Sequence, residues 1–163
     1  SLHFSRFFFN YFIEITKEFR KKFTDITLST DVIVGFPTEA NDQFEKTIDL
    51  IKKIKPDITN ITRFSARPET LAKKMKGRIK TEIVKERSKK LTEICKKISY
   101  EKNKEKLGKT YNVLITEKGK NNTFVGRNDN YKPVVLKENV EIGQFYKVKI
   151  NDYESTYLVG SII

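Results

Sequence analysis

The stretch FVGRNDNYKPV, residues 124–134, contains five side chains that suit contact with a nucleic acid, all within six consecutive residues. Arginine and lysine neutralise phosphates. Tyrosine offers a ring on which an unpaired base stacks, and asparagine amides hydrogen-bond with base edges. This combination predicts a surface that binds RNA or DNA. The five residues are Arg127, Asn128, Asn130, Tyr131 and Lys132.

Residues just before these five can enlarge the surface. Phe124 offers a second stacking ring, and Lys118, Lys120 and Asn122 in the neighbouring turn add charge and hydrogen-bonding groups. A second interpretation of the same residues stays open. In it, the segment is only a polar β-turn closed by an Asx-type hydrogen bond, with Tyr131 half-buried at the rim of a barrel.

The charge of the chain favours a polyanionic partner. The net charge is +12, and residues 73–109 hold 15 Lys or Arg against 5 Glu. A basic stripe of this kind is typical of proteins that bind RNA or DNA, although a solvated lysine-rich surface is the alternative. The sequence has no run of about 18 apolar residues. We therefore expect a cytoplasmic protein without a membrane partner.

The first half of the sequence holds fewer candidate ligands. Asp31 and Glu39 could bind polar parts of a ligand, although Glu39 could equally stabilise the N-terminus of a helix. Arg67 precedes Pro68 and can grip a phosphate or a carboxylate with two hydrogen bonds. An ordinary structural ion pair is the alternative for this arginine. We find no general acid–base pair among these residues.

The single cysteine, Cys95, limits the chemistry of the chain. One cysteine excludes an internal disulfide framework and a metal site built from clustered cysteines. Cys95 lies on the apolar face of a predicted helix, where a free cysteine behaves as a small hydrophobic residue. We therefore expect a buried core cysteine, no metal ligands and no catalytic residue in this chain.

Hydrophobic spacing predicts an α/β half that positions the earlier candidates. An aromatic stripe with spacings of three and four predicts a helix over residues 8–23. A strand follows from Ile26 to Val34, and we expect its second half to be buried on both faces, as in a parallel sheet. A helix capped by Thr38 or Asn41 and a strand in DITNITRFS complete a β–α–β unit. The stripe consists of Phe8, Phe12, Ile15, Phe19 and Phe23.

The residues after Thr81 predict a long basic helix followed by an all-β domain. Apolar residues share one helix face up to Lys106, and Gly108 ends the helix. Five short β-branched segments separated by turn formers then predict a small antiparallel barrel. We place the domain boundaries at 1–78, 79–107 and 108–163. The predicted fold class is α/β followed by all-β.

Four segments occur in an order that is more specific than any one of them. They are STDVIVGFPTEANDQFEKTIDLI, RFSARPETLAKKM, VKERSKKLTEI and the last 56 residues, which begin GKTYNVLITEKG. This order resembles that of the radical SAM tRNA methylthiotransferases, and the final segment resembles a TRAM domain. The group that it resembles most comprises archaeal and eukaryotic enzymes acting on threonylcarbamoyladenosine in tRNA. Ala66 and Glu69 depart from the family pattern, which has Pro and Gly there.

The resemblance implies a fold, a reaction and cofactors. The α/β half would be the C-terminal fragment of a radical SAM (TIM-like) barrel, followed by a five-stranded antiparallel TRAM/OB-like barrel. The full-length enzymes methylthiolate N6-threonylcarbamoyladenosine next to the tRNA anticodon, with S-adenosylmethionine and two [4Fe–4S] clusters. Asp31, Ile33 and Gly35 would lie on the S-adenosylmethionine side. Transfer RNA would contact Arg67 and the nucleic-acid candidates of the barrel.

The chain lacks the CxxxCxxC motif that holds a radical SAM cluster, so we expect no cofactor on this chain alone and no catalysis by it. Residues 1–12 do not match the family, and no initiator Met is present, which favours a C-terminal portion that mainly binds tRNA. Three alternatives stay open. The chain could be a stand-alone RNA-binding TRAM protein, a split-enzyme half completed by a separate chain with the cluster cysteines, or the product of a broken gene.

Overall fold

The computed structural model describes the backbone of residues 2–163 and the side chains of residues 9–163. The chain divides into two compact units. The first, here called the α/β unit, contains the residues up to Thr24 together with Leu28–Cys95. The second, the barrel unit, contains Asp25–Thr27 and Lys96–Ile163. No helix in the described part of the chain is both long enough and apolar enough to cross a membrane.

The α/β unit is built on a two-stranded parallel sheet. Its strands, β1 (Ser29–Val34) and β2 (Ile58–Arg63), pair in register from the first residue of each to the last. The helix α2 (Asn41–Ile54) connects them, so the predicted β–α–β order is confirmed. The remaining helices of this unit are α1 (Leu2–Lys22), α3 (Leu71–Lys74) and the part of α4 (Thr81–Lys104) up to Cys95.

Capping residues define both ends of the helix α2. Ala40 is its N-cap residue, and the side-chain carbonyl of Gln43 accepts a 2.8 Å hydrogen bond from the Ala40 N–H. Lys55 ends the helix in the left-handed conformation, at φ 43°. The predicted caps Thr38 and Asn41 are wrong, because Thr38 lies in the preceding loop at φ 71° and Asn41 is already helical. The buried stripe of α2 consists of Phe44, Ile48, Ile51 and Ile54.

The strand β1 is buried on one face only. Val34 is buried, whereas its neighbour Ile33 is 55% exposed. The predicted burial on both faces is therefore wrong in this chain. Parallel sheets are buried on both faces when helices cover both sides, and a sheet of two strands gives little surface for such a cover. The predicted aromatic stripe is also partly exposed, at Phe12 and Phe19 of α1 and at Phe23 just after it, while the Phe8 side chain lies outside the described residues.

The barrel unit contains five strands that close into a barrel in the order β3–β4–β5–β7–β6. The predicted five-stranded barrel is thus confirmed. Its expected all-antiparallel pairing is wrong at one place, since β5 and β7 pair in parallel. A closed ring with an odd number of strands cannot alternate direction at every pairing. The strands are β3 (Thr110–Lys118), β4 (Phe124–Asn128), β5 (Pro133–Leu136), β6 (Phe145–Tyr153) and β7 (Leu158–Ile162).

The interior of the barrel is filled by alternate residues of the strands. Gly126 of β4 lies opposite Ile115 of β3, and a Cβ at Gly126 would come within 2.4 Å of a Val113 methyl group. Only glycine leaves room for such a close approach of neighbouring strands. The core consists of Tyr111, Val113, Ile115, Val134, Leu136, Val140, Val148, Ile150 and Leu158.

The long helix α4 is confirmed, and it ends at Lys104, close to the predicted end. Its apolar face includes Leu91 and Cys95, which are buried as expected. Gly108 follows the helix at φ 78°, a left-handed conformation that glycine adopts without steric cost. The turn at Gly108 leads the chain directly into β3.

Candidate nucleic-acid interface

Arg127, Leu114 and Phe145 form a row across three adjacent strands of the barrel. Leu114 lies opposite Arg127 in the β3–β4 pairing and opposite Phe145 in the β3–β6 pairing. Directly opposed residues project from the same face of a sheet. The neighbours of Leu114 in β3, Val113 and Ile115, belong to the core. The row therefore faces outward, and Phe145 is 66% exposed.

The loop between β4 and β5 presents Tyr131 to solvent. The side-chain carbonyl of Asn128 accepts hydrogen bonds from the N–H groups of Asn130 (3.1 Å) and Lys132 (2.8 Å). The backbone carbonyl of Asn128 accepts a 2.8 Å bond from the Tyr131 N–H. The Asx-type bond of the second sequence interpretation is thus present. Tyr131, however, is 74% exposed rather than half-buried, and it is held in the left-handed region at φ 62°.

The Arg127 guanidinium lies over the Tyr131 ring, with its carbon 5.1 Å from the ring centre. This distance falls within the range of about 6 Å for cation–π attraction. The Nη1 atom of Arg127 also donates a long hydrogen bond of 3.4 Å to the Tyr131 carbonyl. Because the guanidinium covers one face of an exposed ring, the other face stays accessible to a stacking partner.

An open groove of about 580 Å³ lies beside this pair, and we call it the aromatic groove. Tertiary folding brings its walls together from β3, β4, the β4–β5 loop and β6. Exposed rings from Tyr131 and Phe145 line it, together with the apolar side chain of Leu114. The other lining residues are Thr116, Glu117, Arg127, Asn128 and Asp129.

Lys132 points into the barrel unit instead of toward solvent. Its side chain is 2% exposed, and its ammonium donates a 2.7 Å hydrogen bond to the side-chain carbonyl of Asn103. The Asn103 amide group donates in turn to the Glu154 carbonyl at 2.6 Å. A buried ammonium cannot approach a phosphate without unfolding this region. Burial therefore argues against direct RNA contact by Lys132, which the sequence placed among the phosphate-binding residues.

The other candidates of the barrel divide by exposure. Asn128 is buried, and its side chain is used by the loop hydrogen bonds. Phe124 is partly buried and packs against the core. Lys118 and Lys120 are exposed at the end of β3 and in the following turn. RNA contact thus stays a prediction, and Tyr131 and these two lysines are the candidates exposed to solvent.

Asp25 anchors the same loop from the segment before the barrel. Its carboxylate accepts hydrogen bonds from the Lys106 ammonium, from the Tyr111 hydroxyl (2.8 Å) and from the Asn130 amide (3.2 Å). Lys109 adds an ion pair at 3.4 Å. The Asn130 side chain therefore helps to hold the loop in place by donating a hydrogen bond to Asp25.

These contacts shift the ionisation of Asp25 and Tyr111. Burial by itself would raise the pKa of Asp25, but hydrogen bonds from Lys106 and Tyr111 and the charges of Lys106 and Lys109 lower it on balance. Burial, the hydrogen bond to Asp25 and the negative charge of Asp25 together raise the pKa of Tyr111. The loop is thus held by an ionised carboxylate over the neutral pH range.

Sequence reasoning missed Phe145, Lys147 and Lys149. In FYKVKI these residues alternate with Tyr146, Val148 and Ile150, of which the last two are buried and all three lie on the inner face. An aromatic residue in phase with two lysines on the solvent side of a strand was the available signal. Lys147 and Lys149 are exposed and extend the outward face beyond Phe145.

The three residues expected near S-adenosylmethionine lie in the α/β unit, but they do not line a common cavity. Gly35 lines a cavity of about 420 Å³ at the ends of β1 and β2. Arg63, Lys73 and Arg78 also line this cavity, whereas Asp31 and Ile33 are not among its lining residues. The Asp31 carboxylate accepts a 2.8 Å hydrogen bond from the Asn60 amide.

Glu39 closes the turn that follows β1. Its carboxylate accepts a 2.9 Å hydrogen bond from the Gly35 N–H and a 2.8 Å bond from the Arg87 guanidinium. Gly35 lies at φ 81°, and a Cβ there would come within 2.5 Å of Val84. Glu39 thus fastens the turn to α4, and the two roles that the sequence left open for it stay predictions.

Arg67 is exposed in the loop after β2, outside the lining of this cavity. Its backbone carbonyl accepts a 2.9 Å hydrogen bond from the Thr70 hydroxyl. Glu69 lies between them at φ 63°. This left-handed geometry is one that glycine, the residue of the family pattern, adopts without steric cost. Contact of Arg67 with RNA stays a prediction.

Residues 104–163 match the TRAM domain. The chain is 45% identical over 151 residues to the probable threonylcarbamoyladenosine tRNA methylthiotransferase of Archaeoglobus fulgidus, and 41% identical over 152 residues to that of Methanocaldococcus jannaschii. It is 35% identical over 155 residues to the tRNA-2-methylthio-N(6)-dimethylallyladenosine synthase of Petrotoga mobilis. Each match covers 93% of this chain and 34–35% of the relative.

The chain therefore spans about a third of the length of the curated relatives that it matches. Their names agree with the resemblance drawn from the four ordered sequence segments, which is thus confirmed. Residues 104–163 are thus similar to TRAM domains, and the chain is similar to tRNA methylthiotransferases over nearly all of its length.

Proposed function

We propose that this chain is the C-terminal portion of a tRNA methylthiotransferase and that its main task is to bind tRNA. The whole enzyme would act on N6-threonylcarbamoyladenosine next to the anticodon. The names of the relatives from Archaeoglobus fulgidus and Methanocaldococcus jannaschii support this substrate. The observation that carries the binding role is the outward pair of Arg127 and Tyr131 on the TRAM domain.

Positive charge on the same barrel supports contact with a phosphate backbone. Lys118 and Lys120 are exposed beside β4, and Lys147 and Lys149 are exposed along β6. Each cation that neutralises a phosphate releases a bound counterion, so affinity should fall steeply with salt. Backbone contacts of this kind position an RNA without reading its sequence. Arg67 would add a contact from the α/β unit.

The α/β unit would be the last β–α part of a radical SAM barrel. The parallel pairing of β1 with β2 and the exposed Ile33 support this assignment, because further strands and helices would cover that side chain. In the whole enzyme, Asp31, Ile33 and Gly35 would lie on the S-adenosylmethionine side. Gly35 is the member of this group that already lines a cavity.

The residues of this chain do not fit an iron–sulfur cluster. Clusters of this kind are held by several cysteine thiolates, and this sequence has one cysteine. Cys95 is buried on α4, and this burial raises the pKa of its thiol. The cluster ligands would therefore have to come from residues outside this chain, supplied by the rest of the enzyme or by a separate chain.

A stand-alone RNA-binding TRAM protein is the second candidate function, and the single cysteine favours it. Anaerobic purification of the native protein distinguishes the two. Iron, sulfide and a mass far above that of 163 residues would support a part of an enzyme. A bare chain of this length without iron, or with tRNA binding that ignores the threonylcarbamoyl group, would support the stand-alone protein.

Both candidate functions require that the chain binds RNA. Binding of a labelled tRNA anticodon arm to the full 163-residue chain tests this requirement. The affinity should decrease between about 50 and 200 mM salt. Arg127→Ala should weaken binding and reduce the slope of log K against log salt by about 0.7–0.9, the contribution of one phosphate contact. Lys137→Ala removes an exposed charge just after β5 and is the matched control. Equal effects of the two substitutions would contradict the assignment.

A further inference from the structure

We infer that the aromatic groove clamps one unpaired RNA base that carries an exocyclic amino group. This inference rests on the proposed RNA-binding function and specifies which part of the RNA the TRAM domain holds. Three properties of the groove support it: its two exposed rings, its size and the sign of the charges along its rim.

The two rings form a stacking platform that folding alone does not explain. Tyr131 and Phe145 are 74% and 66% exposed, and both line the groove around Leu114. Exposing large rings forfeits the gain from burying them, and Tyr131 is also held in the left-handed region, at φ 62°. Single-stranded RNA stacks its bases on such rings.

The shape of the groove favours an unpaired base over a duplex. Its volume of about 580 Å³ falls within the range of about 300–1,000 Å³ for sites that bind small ligands. A base within a duplex is already stacked on both faces, so neither Tyr131 nor Phe145 can stack on it. Bases in loops and bulges can be splayed out and bound in this way.

The rim charges discriminate between bases. Glu117 and Asp129 line the groove together with a single cation, Arg127, so the net charge of its lining is negative. An ionised carboxylate only accepts hydrogen bonds. Cytosine presents an amino group to such an acceptor, and adenine and guanine carry amino groups as well. Uracil carries no amino group and offers a carboxylate only the single N–H of its ring.

Binding of short RNAs to the full 163-residue chain tests the inference. The probes are fluorescein-labelled rC8 and rU8 and a blunt RNA duplex of similar charge, all at one salt concentration. We expect rC8 to bind at least five-fold more tightly than rU8 and the duplex. Tyr131→Leu and Phe145→Leu should each weaken rC8 binding about ten-fold, while Tyr131→Phe should retain it. Tyr157→Leu, in the β6–β7 turn, is the matched control and should change binding less than two-fold.

The role of the Glu117 and Asp129 carboxylates is tested separately, by the preference for rC8 over rU8. The double variant Glu117→Gln and Asp129→Asn should reduce the preference for rC8 over rU8 to less than two-fold, because amides no longer offer only acceptors. Wild-type rC8 binding in Tyr131→Leu and Phe145→Leu, or equal binding of rC8 and the duplex, would overturn the clamp. If the anticodon arm still binds and Arg127→Ala still weakens it, the proposed function survives that result. Absence of binding to every RNA at low salt would overturn both.

Discussion

The buried ammonium of Lys132 donates a 2.7 Å hydrogen bond to the side-chain carbonyl of Asn103 on α4. Lys132 directly follows Tyr131, whose ring is exposed. One residue of the loop is therefore fixed inside the barrel unit while its neighbour is presented to solvent. Because Lys132 is fixed, the polar loop holds the Tyr131 ring in a defined position.

Lys132→Met should destabilise the barrel unit by about 1.5–3 kcal/mol, the range for hydrogen bonds to charged groups. The substitution preserves the length of the side chain but leaves Asn103 without its donor. Urea unfolding followed by circular dichroism measures the change. Lys137→Met, at an exposed position after β5, should stay within about 0.5 kcal/mol of the wild type. A Lys132→Met variant of normal stability with a reduced salt slope of tRNA binding would return this lysine to the RNA interface.

Asp25 should make the barrel unit less stable in acid. Its pKa in the folded state is lowered from the ordinary value of 3.8. Its contribution is therefore present above the unfolded-state pKa and is lost as the pH falls through the folded-state value. The free energy of unfolding should decrease as the pH drops below about 4. Asp25→Asn should flatten this decrease, since the amide does not titrate.

Asp129→Asn is the control for this acid dependence, because Asp129 is an exposed carboxylate of the same unit. The two variants are compared by thermal unfolding from pH 6 downward. An Asp25→Asn profile that parallels those of the wild type and Asp129→Asn would mean that the lysine contacts of Asp25 do not stabilise the fold.

Glu39→Ala should destabilise the α/β unit by about 3–5 kcal/mol, because it leaves the buried Arg87 guanidinium without its ion-pair partner. The pair measures 2.8 Å, and both side chains are mostly buried. Glu45→Ala breaks the 2.7 Å pair with Lys90, which is about half exposed. That loss should cost at most about 1 kcal/mol. Hydrogen exchange of amides in α2 and β1 reports on this unit, and similar losses of protection in both variants would disprove the structural role of Glu39.

Replacing Lys147 and Lys149 together by Ala should weaken binding of the anticodon arm and lower its salt slope by about 1.4–1.8, for two phosphate contacts. Both lysines lie on the outward face of β6, in phase with the exposed Phe145. Lys52→Ala, an exposed substitution on α2, serves as the control. An unchanged slope in the double variant would limit the interface to the groove and the β3–β4 turn.

Several features could be predicted from the sequence because they depend on neighbouring residues along the chain. The β–α–β order, the long helix α4 and the five strands follow from hydrophobic periods of 3.6 and 2. The resemblance to a TRAM domain was recognisable from the last 56 residues alone. The Asx-type bond at Asn128 was also foreseeable, since it joins groups within four residues.

Other features depend on partners far along the chain, and only the tertiary structure decided them. Lys132 is buried because Asn103, 29 residues away, offers it an acceptor. Phe145 joins Arg127 because β3 pairs with both β4 and β6. Ile33 is exposed because no further strand or helix among the described residues covers it. The sequence by itself determined which helices and strands form, because periodicity is local. Strand pairing and the packing of other elements against the strands decided which faces became core and which became surface.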